Sequence, residues 1–220
     1  MRHQRPLTSD LDFPIPETMK KALILFAHPR YEKSRANKAL LTGLRDQESI
    51  TIHDLYEQYP DFNIDVAHEK QLLREHQIIV WQYPFYMYSA PAMIKQWIDL
   101  VLEHGWAHGA GGGQLDGKLV FNSITTGGTR ESYAHGGFNR YTIAELLTPL
   151  EQTAHLCRMT WLPAFMVQGT YRLTDSMLAE YAGLYRQALL ALAQSPPLDT
   201  IKTYEFLNDW LTSGNAQEKP

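Results

Sequence analysis

The chain predicts a doubly wound α/β fold, a parallel sheet covered by helices on both faces. Three observations carry this expectation. Strand-like and helix-like segments alternate five times along 220 residues, the pattern of repeated β–α units. Segments 77–82 (Gln-Ile-Ile-Val-Trp-Gln) and 118–125 (Lys-Leu-Val-Phe-Asn-Ser-Ile-Thr) are near-continuous apolar runs, as strands buried on both faces require. The first apolar run, Ala22 to Ala27, stops at His28-Pro29 and gives way to a polar loop and a helical pattern.

The elements follow in order. Strand 21–27 leads to helix 35–46, with Ser34 at its start. Strand 50–55 leads to helix 66–75. Strand 77–82 leads to helix 91–104, with Pro91 in the first turn and Gly105 as the stop, both favoured positions. Strand 118–125 leads to helix 141–157, and strand 161–168 to helix 174–194. The last helix opens on Thr174-Asp175 and carries Met177, Leu178, Tyr181, Leu184, Tyr185, Ala188 and Leu189 at helical spacing. Residues 19–194 thus read as one domain. Residues 1–18 are expected to be a flexible arm and 195–220 a tail. The tail's apolar cluster, Tyr204 to Leu211, suits a short helix docked on its own domain or on a partner.

Composition narrows the function. The chain is 44% hydrophobic with net charge −4, and its pI is about 6.1. No basic stripe offers itself to nucleic acid, and no apolar run approaches the roughly 18 residues of a membrane span. The first 18 residues hold Pro6, Pro14 and Pro16 and no apolar h-region, so no signal peptide is expected. Cys157 is the single cysteine and reads as a small buried hydrophobe in a reducing compartment.

Three loops at the carboxyl ends of strands one, three and four are unusual, and in parallel sheets that edge binds ligands. The loop His28 to Asn37 enters a helix N-terminus lined by hydroxyl and amide groups, suited to a phosphate. It has neither Gly-x-Gly-x-x-Gly nor Gly-Lys-Ser/Thr, and so points to a flavin mononucleotide rather than a dinucleotide or triphosphate. The bland alternative is that Ser34 simply caps a helix. The loop Tyr83-Pro84-Phe85-Tyr86-Met87-Tyr88-Ser89-Ala90-Pro91 is stiff and aromatic. It suits an isoalloxazine wall or a packed subunit contact. The loop Thr126-Gly127-Gly128-Thr129 lets the backbone approach a ring closely, or is a plain turn. Tyr133 and His135 follow it with proton-bearing groups. His104 and His108 are four apart, but Gly105 and Gly109 interrupt that stretch, so no metal site is expected.

These loops carry a resemblance. Ala27-His28-Pro29 with Ser34-x-Ala36-Asn37 is its first piece. Asp54-Leu55-Tyr56 with Tyr59-Pro60-Asp61-Phe62-Asn63-Ile64-Asp65 is the second. Trp81-Gln82-x-Pro84, Tyr88-Ser89-x-Pro91, Lys95-x-Trp97-Ile98-Asp99, His104-Gly105-Trp106-Ala107, Gly117-Lys118 and Thr125-Thr126-Gly127-Gly128 complete it. From about residue 21 to about 192, the chain resembles the flavodoxin-like NAD(P)H:quinone oxidoreductases of the DT-diaphorase type. Among these it looks most like the ancillary flavoproteins of glutathione-regulated potassium-efflux systems.

The resemblance implies a flavodoxin-like five-stranded parallel sheet of order 2-1-3-4-5 and FMN rather than FAD. It places His28, Ser34, Arg35, Ala36 and Asn37 at the phosphate. Phe85, Tyr86, Met87 and Tyr88 flank the ring, and Thr125, Thr126, Gly127 and Gly128 lie on its other side. Tyr133 falls where the family's larger reductases place an active-site tyrosine. His135 stands closer to it than the family's histidine does. NAD(P)H would be the co-substrate and a quinone the acceptor, in a two-electron ping-pong cycle by a homodimer. The alternative role is a regulatory subunit of a potassium-efflux transporter. A third reading, a flavodoxin electron carrier, fits less well with the extra loop 104–117. The expected location is the cytoplasm, peripheral at the inner membrane face if a transporter is the partner.

Overall fold

The computed structural model describes residues 19–217. The arm expected over 1–18 lies outside them. The elements run β1 (Ala22–Phe26), α1 (Arg35–Thr42), β2 (Ile50–Asp54), α2 (Leu55–Gln58), α3 (Val66–Glu75), β3 (Ile78–Pro84) and α4 (Ala92–Val101). They continue with β4 (Leu119–Thr125), α5 (Ile143–Leu156), β5 (Thr160–Trp161), β6 (Phe165–Val167), α6 (Asp175–Ala193), α7 (Leu198–Ile201) and α8 (Leu207–Gln217).

All strand pairs are parallel, and the sheet runs β2-β1-β3-β4-β5, with β6 also on β4. This is the expected order with one difference. The single strand expected over 161–168 is two short ones. β5 pairs with Leu119 and Val120, and β6 with Ser123 to Thr125. Pro163 lies between them and has no N–H to give the ladder, so the pairing breaks there and resumes at Phe165. β3 reaches further than expected, through Tyr83 and Pro84. Pro84 is tolerated because β1 has already ended, at Phe26 opposite Gln82.

Alternate residues of each strand feed two cores. Leu23, Leu25, Ile79, Trp81 and Val120 meet Leu73 of α3, Trp97 of α4 and Leu147 of α5. Ile24, Phe26, Val80, Phe121 and Phe165 meet Leu40 of α1 and Tyr185 and Leu189 of α6. That is why the strands read as unbroken apolar runs. α7 and α8 join the second core through Ile201, Leu207 and Leu211. Each such side chain, fully buried, stabilises the fold by roughly 1.5–3 kcal/mol relative to exposure. Among the described residues no helix is long and apolar enough to cross a membrane.

Candidate functional site

α1 begins where β1 delivers the chain to the carboxyl edge of the sheet. Ser34 is its N-cap, and its Oγ accepts from the Asn37 backbone N–H at 3.2 Å. Asn37 turns its amide inward and is fully buried. Its Nδ2 donates to Ser34 Oγ and to Thr125 Oγ1, both at 3.2 Å, and its Oδ1 accepts from Gln82 Nε2 at 3.1 Å. Gln82 Oε1 in turn accepts from the Tyr185 hydroxyl at 2.9 Å. This chain of amides ties the α1 N-terminus to β3, β4 and α6. Ser34 Oγ already accepts twice, so its own proton remains free to donate outward. The backbone amides of Arg35 and Ala36 are left unpaired by the helix geometry. Hydroxyl, amides and dipole together make a donor set for an anion.

The side chain of Arg35 is not part of this set. It reaches Leu173 O at 3.2 Å and Asp175 Oδ1 at 2.5 Å, tying α1 to α6. His28 is buried, and its Nδ1 accepts from the Arg30 N–H at 3.1 Å. The proton of the neutral ring therefore sits on Nε2. Burial pushes the His28 pKa down, against a raising influence of Glu32. The Tyr86 ring stands edge-on to His28 at 5.9 Å.

The loop after β3 divides. Phe85 is buried in the first core, edge-on to Tyr133 at 6.1 Å. Tyr86 and Tyr88 are half exposed, and Met87 is 88% exposed. Met87 and Tyr88 both have positive φ, 48° and 65°, in a tight turn closed by Ser89 N–H donating to Tyr86 O at 3.1 Å. Non-glycine residues there carry strain of about 1–3 kcal/mol each, a pattern common where side chains are aimed for use.

The loop after β4 faces it. The Thr126 hydroxyl donates to Gly128 O at 2.8 Å, and Gly128 O also accepts from Gly169 N–H at 2.9 Å. Both glycines stand close under aromatic rings. A Cβ on Gly127 would lie 2.5 Å from the Tyr171 ring, and one on Gly128 3.0 Å from the Tyr133 ring. Tyr133 is buried, and its hydroxyl pKa is raised by burial and then by Tyr88. His135 turns away. Its side chain is 74% exposed and lies 3.7 Å from Glu145 at the start of α5.

Sequence reasoning missed Gln82 and Tyr185 as site supports. The signal was present: a glutamine at the end of an apolar run needs a buried partner. It also missed Tyr171, which comes from the β6–α6 loop and overlies Gly127. A second polar cluster lies away from this edge. Glu69, fully buried, accepts from His53 Nε2 at 2.7 Å, Tyr59 OH at 2.6 Å and Trp97 Nε1 at 2.7 Å. His68 stands beside it, the three ligand-type atoms of His53, His68 and Glu69 lying within 4.8 Å of one another. With three donors already on its carboxylate, Glu69 is a structural acceptor. His104 and His108 sit in a turn, where Gly105 N–H donates to His108 O at 2.8 Å, and not on a helix.

Sheet order, switch point and anion-ready α1 terminus define a flavodoxin-like protein. The chain belongs to the family described as "Flavodoxin-like fold", whose model matches residues 20–189. The ancillary protein KefG of the glutathione-regulated potassium-efflux system from Yersinia enterocolitica is 47% identical over 176 residues, 80% of this chain and 94% of that protein. The FMN complex of general stress protein 14 from Treponema denticola is 35% identical, with a TM-score of 0.75, covering 78% of this chain and 99% of that one. An NADPH-quinone reductase from P. pentosaceus is 29% identical with a TM-score of 0.70, covering 76% and 96%.

Proposed function

We propose that the chain is an FMN-dependent NAD(P)H:quinone oxidoreductase. The observation that carries this is the buried amide chain Ser34–Asn37–Gln82–Tyr185, which holds a phosphate-ready helix terminus beside a glycine platform and an aromatic rim. Ser34 Oγ and the backbone amides of Arg35 and Ala36 would hold the phosphate, with Asn37 fixing Ser34 through its backbone and side-chain N–H groups and His28 Nε2–H near by. Thr125, Thr126, Gly127 and Gly128 would lie on one side of the ring, and Tyr86, Met87 and Tyr88 on the other. When bound, FMN supplies reversible two-electron chemistry between nicotinamide and quinone. The protein orients the partners and excludes water. Tyr133, its hydroxyl pKa raised by burial, would hold a proton for negative charge on the bound ring. His135 serves the acceptor side once it leaves Glu145. The likeness to FMN-bound and NADPH-quinone reductase structures supports this reading.

The test is spectroscopic. Air-free protein loaded with FMN should show a flavin spectrum that NADPH bleaches and benzoquinone restores. Bound flavin that both NADPH and NADH leave oxidised refutes the reductase. A second reading, a regulatory subunit docked on a membrane potassium-efflux transporter, is favoured by relatives named as ancillary proteins. It predicts flavin binding without turnover, and capture of the protein by membranes holding such a transporter. We also propose that the chain forms a homodimer, tested by light scattering.

A further inference from the structure

The segment after α6 lies outside the residues matched by the family, yet it is fastened firmly. Leu207 N–H donates to Ala164 O at 3.0 Å, and Ala164 and Phe206 form a parallel bridge. The Asn208 side chain then behaves as a strand would. Its Oδ1 accepts from Met166 N–H at 2.8 Å and its Nδ2 donates to Met166 O at 3.0 Å. The free edge of β6 is thereby closed.

The same segment grips the loop after β4. Arg130 Nη1 and Nη2 donate to the two oxygens of Asp209 at 2.8 and 2.9 Å. Nε donates to Glu205 at 3.1 Å, and Nη2 also bonds Glu205. The guanidinium lies 4.7 Å from the centre of the buried Phe206 ring. Asp209 is itself fixed, accepting from Phe206 N–H at 3.2 Å. A lone surface ion pair contributes little. A bidentate fork shared by two carboxylates and stacked on an aromatic face is the stronger case. Arg130 stands two residues after Gly128 and opens the turn Arg130–Tyr133. The start of that loop is tied by its backbone to Val167 and Gly169, and Arg130 ties its middle.

We propose that Arg130 is a positioning residue. Through Glu205, Phe206 and Asp209, the C-terminal segment sets the shape in which Gly127, Gly128 and Tyr133 meet the flavin. The inference rests on the flavin reading above, but the clamp has a readout that needs no flavin. In FMN-free full-length protein, Arg130→Met should speed amide exchange over 126–133 and 204–209 while leaving β1 and α1 unchanged. In the same variant the FMN Kd should rise about tenfold, the loss of roughly one strong charge-assisted contact. Arg130→Lys keeps the charge without the fork and should lie between. The swap Arg130→Asp with Asp209→Arg should recover part of both effects. Arg130 is half exposed, so these variants are expected to fold. Exchange and Kd both within twofold of wild type in Arg130→Met would overturn the clamp. Wild-type protein that binds no FMN would instead overturn the flavin reading, while the exchange measurement still decides the clamp.

Discussion

Gln82 and Asn37 meet amide to amide inside the protein, Nε2 to Oδ1 at 3.1 Å, both side chains fully buried. β3 thereby fixes the orientation of an amide that in turn fixes the first turn of α1. Truncating either side chain leaves the other with an unmatched polar group, which costs about 1–3 kcal/mol. Asn37→Ala should lower the urea-unfolding free energy by about 2 kcal/mol and weaken FMN binding. Asn37→Leu with Gln82→Leu should cost less than the sum of the two single changes, since no amide is left alone. Strict additivity would mean the amides act independently.

The Met87–Tyr88 turn separates stability from use. Two side chains at positive φ sit where Asn-Gly would be at ease. Replacing both, Met87→Asn with Tyr88→Gly, should raise stability by about 1–2 kcal/mol through relieved strain. Tyr88 OH also donates to Asn139 at 3.3 Å, a weak, exposed bond whose loss takes back little. The same variant removes two groups from the proposed ring cavity, so FMN should bind less tightly as the melting temperature rises. A variant that gains neither stability nor loses affinity would show the turn to be ordinary.

The strands and the helices between them were legible because each rests on local pattern, apolar runs, spacing and caps such as Thr174, whereas the strand order was legible only through the family resemblance. The break of the last strand was legible only through Pro163, whose missing N–H matters once the partner strand is known. What the sequence hid is partnership at long range. Tyr185 reads as one more apolar position of a helix, and only its place opposite Gln82 makes it a hydrogen-bond donor. Tyr171 and Gly127 are 44 residues apart, and their contact appears only when β6 lies beside β4. Arg130 reads as a charged loop residue until Glu205 and Asp209 arrive from the tail.

Glu69 carries a different kind of weight. Its carboxylate is fully buried and takes bonds from His53, Tyr59 and Trp97, which join β2, α3 and α4. Removing it strands three donors at once. Glu69→Ala should therefore destabilise by about 3–5 kcal/mol, the range for breaking a buried charged network, and should shift Trp97 fluorescence. Glu69→Gln keeps the shape and one acceptor oxygen and should cost less. Equal losses in the two variants would mean that the charged carboxylate, not the volume it fills, decides this site.

Stability should fall on the acid side in two stages. Burial lowers the pKa of both His28 and His76 from the ordinary value near 6.5. The His76 ring has a carbonyl and a hydroxyl as partners, Leu72 O at 2.7 Å and Thr51 Oγ1 at 2.8 Å, and Thr51 donates only to the neutral form. Below about pH 6.5 the unfolded chain binds protons that the folded one refuses, so the folded state loses ground as pH falls, by at most about 1.4 kcal/mol per pH unit per histidine. Glu69 has its pKa lowered despite a desolvation effect that raises it, because His53 and Tyr59 stabilise the carboxylate. Its contribution is present above the ordinary carboxylate range and is lost as pH drops through its folded value, a second and more acidic loss. Urea midpoints should thus be flat from pH 8 to about 7, slope down below 6.5, and steepen again in the carboxylate range. His76→Gln removes one titrating ring and should flatten the first slope while sparing the second. An unchanged first slope in that variant would show that His76 is not among the groups that set it.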